Sequence, residues 1–201
     1  MGDPKKPKKK YSRPQHPWRR AQLEEEKVLV EEYGLKNKKD LWKIASKLSH
    51  YKQQAKVLIA RTGAQAEMEK KLFLEKLQKM SLIPAGATVD NVLGLVVKDL
   101  LERRLQTMVF RRGLAHSVVQ ARQFIVHGHI MVNGQKINVP SFLVPGVVEE
   151  MITFSGNSPL ADPEHPERNK EKKTEEVKGK ENKQVKKEEV VEEVLKEGEK
   201  Q

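Results

Sequence analysis

Between positions 103 and 136 the chain carries Arg103, Arg104, Arg111, Arg112, Arg122 and Lys136, against a single carboxylate, Glu102, in all of residues 101–140. Guanidinium forks match phosphate oxygens and guanine edges, so this set suits a polyanion; scattered solubilising charge is the competing reading. His127 and His129 flank Gly128 in the same stretch. Two imidazoles straddling a glycine make no metal site without further donors. Donation to phosphates or ribose hydroxyls, or a plain turn surface, are the readings left to them. No metal or cofactor is expected.

The patterns of catalysis are missing. There is no glycine-rich phosphate loop with its lysine, no GxSxG elbow, no HExxH and no dinucleotide fingerprint. Asp90 falls at a helix start, where a carboxylate favours the helix dipole, and Asp99 reads as ordinary helix surface. With no cysteine, thiol nucleophiles, disulfides and cysteine-ligated metals are excluded together. Neither an enzyme nor a small-molecule substrate is expected. A net charge of +11 and a pI near 9.7 point to nucleic acid or an acidic membrane surface. No apolar run approaches the roughly 20 residues of a membrane span. The opening "MGDPKKPKKKYSRP" lacks both a signal-peptide core and the Ser or Thr of a myristoylation motif. A soluble cytoplasmic chain without membrane partners is expected.

Other cations lie nearer the start. Residues 1–20 hold five lysines, three arginines (Arg13, Arg19 and Arg20) and four prolines, with Tyr11 and Trp18. Such a segment cannot fold alone; it reads as an arm lying on phosphates with its aromatics free to stack on bases, or as a solubilising tail. Lys43, Lys47, Lys52 and Lys56 fall off the apolar stripe of the helix that follows. Singly each is solvated surface, and together they form a cationic face.

The elements that must position these groups follow from periodicity. "AQLEEEKVLVEEYG" is a helix that stops at Gly34. "KKDLWKIASKLSHYKQQAKVLIARTG" places Leu41, Ile44, Ala45, Leu48, Ala55, Leu58 and Ile59 near a 3.6-residue period, with a phase change near His50. "AQAEMEKKLFLEKLQKMSLIP" is a third helix, closed before Pro84. A short helix capped by Thr88 follows, then a longer one ending at Gly113. If that helix is continuous, Arg104 and Arg111 lie seven residues apart on nearly the same side. "HSVVQARQFIVHG" opens with Ser117 and Gln120 at capping-box spacing, and its Arg122 and Gln123 fall outside the apolar stripe. In "GHIMVNGQKINVPS", Asn133-Gly134 is a type I′ pair between two strands, the second running to Val139, and "VVEEMITF" (147–154) is a third strand. From Ser155 the chain is proline-rich and then a Lys/Glu mixture with little to bury, so disorder is expected; "EEVVEEVLKE" could form a transient helix.

The stretch "LERRLQTMVFRRGLAHSVVQARQFIVHGHIMVNGQKINVPSFLVPG" resembles the S4-type RNA-binding domain. "YSRPQHPWRRAQLEEEKVLVEEYGLKNKKDLWKIASKLSHYKQQAK" is similar to the archaeal and eukaryotic branch of the small-subunit ribosomal proteins that carry this domain. The resemblance implies an α+β chain. Its parts are a basic arm (1–20), a helical rRNA-binding region (21–100), a small S4-type domain of two helices on a short antiparallel sheet (101–157), and a charged tail (158–201). It implies a primary binder of small-subunit rRNA that helps nucleate assembly of the subunit body and bears on decoding accuracy. The fifth small-subunit protein is the implied neighbour. Implied RNA contacts are Arg104, Arg111, Ser117, Arg122, Gln123, His127, His129 and Lys136. The zinc-binding cysteines of some bacterial members are absent, and "VPGVVEE" is acidic, so that end is expected to face away from RNA. An RNA-modifying enzyme such as a pseudouridine synthase would need a catalytic domain for which no residues remain. A helix-turn-helix DNA reader would present mostly Val and Ala to the groove.

Overall fold

The computed structural model describes residues 9–162 and 165–168. The first eight residues of the arm and the Lys/Glu tail, including "EEVVEEVLKE", lie outside the described residues. The chain divides into two units, one ending at Thr153 and one beginning at Phe154.

In the first unit α1 (Arg20–Glu32) ends in Tyr33 and a left-handed Gly34 at φ 55°, as its sequence demands. The Leu35 amide closes the turn on the Val30 carbonyl at 3.0 Å. The long α2 (Lys38–Ala60) buries Leu41, Ile44, Leu48, Tyr51, Ala55 and Leu58. That spacing alternates three and four throughout, so no phase change occurs at His50: the Tyr51 ring carries the stripe, and Ala45 and Ile59 fall outside it. With α3 (Ala64–Lys79), α4 (Val89–Leu93) and α5 (Val97–Glu102), this stripe encloses a core that includes Phe73, Leu77, Val92, Leu100 and Leu101.

The helix expected to run on to Gly113 is broken. After α5 the backbone extends at Arg104 (ψ 140°), and α6 (Leu105–Arg111) starts afresh. The cause lies about forty residues downstream. No side chain caps α6; instead the Leu105 amide donates to the Phe142 carbonyl at 2.8 Å and the Gln106 amide to that of Pro140 at 3.4 Å. The Val144 amide donates to the Arg103 carbonyl at 2.9 Å. Residues 140–144 thus satisfy donors that a continuous helix would have satisfied internally. The second strand, expected to run to Val139, ends at Lys136, before this segment.

α7 (Val118–Val126) packs on α6 and buries Ala121, Phe124 and Ile125. Ser117 Oγ accepts the Gln120 amide at 3.1 Å, while Gln120 Oε1 takes the His116 amide at 2.7 Å rather than that of Ser117. The capping box is displaced by one residue. β1 (Ile130–Val132) and β2 (Gln135–Lys136) pair antiparallel, Val132 opposite Gln135, around Asn133 (φ 50°) and Gly134 (φ 75°), which satisfies a type I′ turn. β3 (Ile152–Phe154) lies on the other side of β1. It is shorter than expected because Gly146–Met151 forms a 3-10 helix behind Pro145, whose carbonyl accepts the Val148 amide at 3.1 Å. The architecture is α+β: a helical body followed by two helices on a three-stranded sheet.

In the second unit a 3-10 turn, Pro159–Ala161, is capped by Ser158, and Arg168 donates to the Ala161 carbonyl at 3.1 Å. No helix among the described residues is long and apolar enough to cross a membrane.

Candidate nucleic-acid interface

The break between α5 and α6 redistributes the six cations. Arg104 does not share a helix face with Arg111; it is 1% exposed, and its Nη1 and Nη2 have no hydrogen-bond partner among the described residues. Burial holds its pKa below the ordinary guanidinium value; Asp40 opposes this shift and Arg122 adds to it. Arg104 therefore leaves the surface contact set assigned to it and becomes a buried charge close enough to feel Arg122.

Arg103 and Arg112 are tied to the acidic 3-10 segment. Arg103 Nη1 meets Glu149 Oε2 at 3.0 Å, and Arg112 Nη1 donates to the backbone carbonyls of Glu149 and, at 3.4 Å, Ile152. These two arginines brace the sheet against α6. Arg111 is exposed but forked on Glu102, Nη2 to Oε1 at 2.9 Å and Nε to Oε2 at 3.3 Å. That hydrogen bond raises the Arg111 pKa. Glu102 also accepts the Tyr33 hydroxyl at 2.8 Å; burial, and then this bond, push the phenol above its usual range.

A second group forms around the end of α7 and the hairpin. Arg122 is half-buried and Gln123 exposed, sharing the outward stripe of α7 with the exposed Val119 and Val126. Ser117, at the helix start, is exposed but spends its hydroxyl on the cap. His127 and His129 have ring centroids 6.3 Å apart, and the His129 ring meets Phe124 edge-on. Burial, then His127 and Lys136, lower the His129 pKa. Lys136 is exposed, and its stem lies across Gly128, where a Cβ would collide with it. Gly128, at φ 72°, leaves room for the end of this side chain, from which its charge acts on His129. Among the described residues no three His, Cys, Asp or Glu side chains come together as metal ligands.

Within its described residues, 9–20, the arm is pinned rather than loose. Tyr11 stacks on Trp42 at 6.3 Å with Lys9 and Lys39 over its ring, and the Ser12 amide donates to Ser46 Oγ at 3.0 Å. Tyr11 is thus not free to stack on a base. Arg13, Trp18, Arg19 and Arg20 are exposed, Arg20 pairing with Glu24 at 2.8 Å. On α2, Lys43 and Lys56 are exposed and Lys52 half-buried; Lys43 lies 3.5 Å from Asp40. Lys47 sits over the Tyr51 ring, its pKa lowered by burial and then by Lys76.

Sequence reasoning missed the polar residues that hold these parts in register. Gln106, fully buried, donates through Nε2 to the carbonyls of Gly34 at 3.0 Å and Val118 at 2.9 Å, joining the end of α1 to the start of α7. Glu26, buried on α1, accepts from Trp42 Nε1 at 2.9 Å and pairs with Lys38 at 3.2 Å. Asp99 accepts the Val96 amide at 2.7 Å and so caps α5. The only signal for Gln106 was a polar residue interrupting an apolar run.

Residues 103–149 match the S4 domain family. The chain is similar to the small ribosomal subunit protein uS4 of Methanococcus aeolicus, 50% identical over 169 residues that cover 84% of this chain and 96% of that one. It is likewise similar to uS4 of Nanoarchaeum equitans, 49% identical over 84% of this chain and 94% of the relative, and of Ignicoccus hospitalis, 46% identical over 79% and 96%.

Proposed function

Since the chain belongs to the uS4 family of small ribosomal subunit proteins, we propose that the α6–α7–hairpin unit is a fixed cationic platform recognising the shape of folded small-subunit rRNA. The chain is a structural ribosomal protein and not an enzyme. Arg122, Gln123, His127, His129 and Lys136 meet phosphates and ribose hydroxyls, with Arg111 and Ser117 at the edge. Arg104 adds positive potential from its buried position. Arg13, Arg19, Arg20, Lys43, Lys47, Lys52 and Lys56 extend the phosphate contacts along the arm and α2. The major groove of an A-form helix is too narrow for α7, so minor-groove hydroxyls and junctions are the targets. On the family's pattern the protein is a primary rRNA binder that nucleates assembly of the subunit body, contributes to decoding accuracy, and packs beside the fifth small-subunit protein in the cytoplasm.

The observation carrying this reading is that a type I′ hairpin brings Lys136 to the histidine pair at the end of a capped helix whose outward stripe carries Arg122, in a chain spanning 94–96% of its uS4 relatives. Crosslinking the full-length protein in cell extract and sequencing the recovered RNA tests it. Small-subunit rRNA should dominate; recovery of mainly tRNA or mRNA would overturn it.

A further inference from the structure

Trp18 is 88% exposed, the most exposed large apolar side chain among the described residues. It is not carried on a loose end. Upstream the arm is fastened by the Tyr11–Trp42 stack and the Ser12–Ser46 bond, and Pro14 is half-buried in a groove that Trp42 and Ala45 also line. Downstream the Arg19 amide closes a turn on the His16 carbonyl at 3.3 Å, and the Leu23 amide makes the first helical bond to Arg19 at 3.0 Å. Pro17 fixes φ within that turn. The indole is therefore displayed on a short segment anchored on both sides, with His16, Pro17 and Arg19 lining an open apolar hollow around it.

The surrounding charge has one sign. From Lys9 to Leu23 the chain has Lys9, Lys10, Arg13, Arg19 and Arg20 and no carboxylate; the first is Glu24. A flat aromatic face ringed by cations fits a partner that is itself a π-face joined to phosphates. Bases inside a duplex have both faces covered, whereas an unpaired base offers them.

We infer that Trp18 is a stacking platform for one unpaired nucleobase of the RNA, with Arg13 and Arg19 holding the flanking phosphates. This rests on the rRNA-binding reading above and adds to it a single-stranded contact, outside the S4-type platform and made through a base rather than the backbone.

The test compares the full-length protein with Trp18→Phe and Trp18→Leu, following tryptophan fluorescence and affinity. The ligands are small-subunit rRNA, a single-stranded RNA 12-mer, the same 12-mer made abasic, and heparin. Trp18 packs against little, so the melting temperatures of both variants should match the parent. Trp18→Leu should weaken 12-mer binding at least about fivefold, with Trp18→Phe retaining most of it, since stacking needs an aromatic face. Parent fluorescence should be quenched by the 12-mer and not by the abasic strand or heparin. Leu and Phe variants that bind alike, or equal quenching by heparin, would overturn the stacking assignment while leaving rRNA binding standing. Failure of the parent to bind rRNA at all would overturn the reading beneath it. An acidic protein segment as the true occupant would appear as parent-like affinity of Trp18→Leu for every RNA, and that too refutes the inference.

Discussion

Gln106→Leu keeps the volume of a buried side chain and removes its amide. In the native protein that amide gives one hydrogen bond to the Gly34 carbonyl and one to the Val118 carbonyl, at 3.0 and 2.9 Å. A buried polar group that loses its partner costs about 1–3 kcal/mol, so the stranded Gly34 carbonyl sets most of the gross loss, with the second bond to Val118, whose carbonyl keeps its helical partner, adding less. Two effects reduce it. Gly34 and Val118 are only half-buried, so water can reach their carbonyls, and Gln106 Oε1 has no partner among the described residues, so its removal recovers some desolvation energy. The net loss should be about 1–3 kcal/mol, or a fall in melting temperature of roughly 2–4 °C per kcal/mol for a body this size. Because the two carbonyls belong to α1 and α7, the variant should also lose rRNA affinity while binding heparin as before. Urea denaturation and filter binding on the same preparation read both quantities. A Leu variant within about 0.5 kcal/mol of the parent, with unchanged rRNA affinity, would refute the view that Gln106 registers α7 against the helical body.

Three further expectations follow from individual contacts. Glu102→Gln keeps an acceptor for Tyr33 but releases Arg111 from its counter-charge, so rRNA affinity should rise a few-fold at low salt; no change would remove Arg111 from the interface. His129 has a lowered pKa, so folding favours its neutral form over its charged one. The stability this gives is complete above the unfolded imidazole value of about 6.5 and is lost as pH falls through the folded value. Between pH 7.5 and 5.5, His129→Leu should therefore lose less unfolding free energy than the parent, and equal losses would show that His129 does not couple to folding. Residues 169–201 have nearly balanced charge, and a chain ending at Arg168 should bind rRNA within about twofold of full length in filter binding, where a loss beyond tenfold would make the tail part of the interface.

What was legible in the sequence was set locally. Asn133-Gly134 specifies its turn whatever surrounds it, Gly34 ends α1, and the aliphatic members of the α2 stripe, Leu41, Ile44, Leu48, Ala55 and Leu58, follow from their own spacing. What was not legible was set at a distance. The stretch from 97 to 111 has an unbroken helical period, yet carbonyls of residues 140–142 compete for its amides and win, which turns Arg104 inward. Arg103 and Arg112 read as surface cations because Glu149, their partner, lies far along the chain. In α2 the aliphatic period slips between Leu48 and Ala55, and the buried ring of Tyr51, a residue whose hydroxyl also suits the surface, fills that gap. The cationic cluster was visible in composition; which cations are braces and which face outward depended on contacts between remote segments.

The central claim is that selectivity comes from cations held at fixed spacing and not from charge alone. The direct measurement is the ratio of affinities for folded small-subunit rRNA and for the same RNA unfolded by removal of magnesium, at matched ionic strength, for the parent and for Arg122→Ala/Lys136→Ala. Both proteins should show steep salt dependence, with a slope of about −0.7 to −0.9 per phosphate contact. The account predicts a large preference for folded RNA in the parent and its collapse toward unity in the double variant. If the variant bound more weakly to both RNAs in equal proportion, with the ratio unchanged, the platform would be acting as bulk charge and the account would be contradicted.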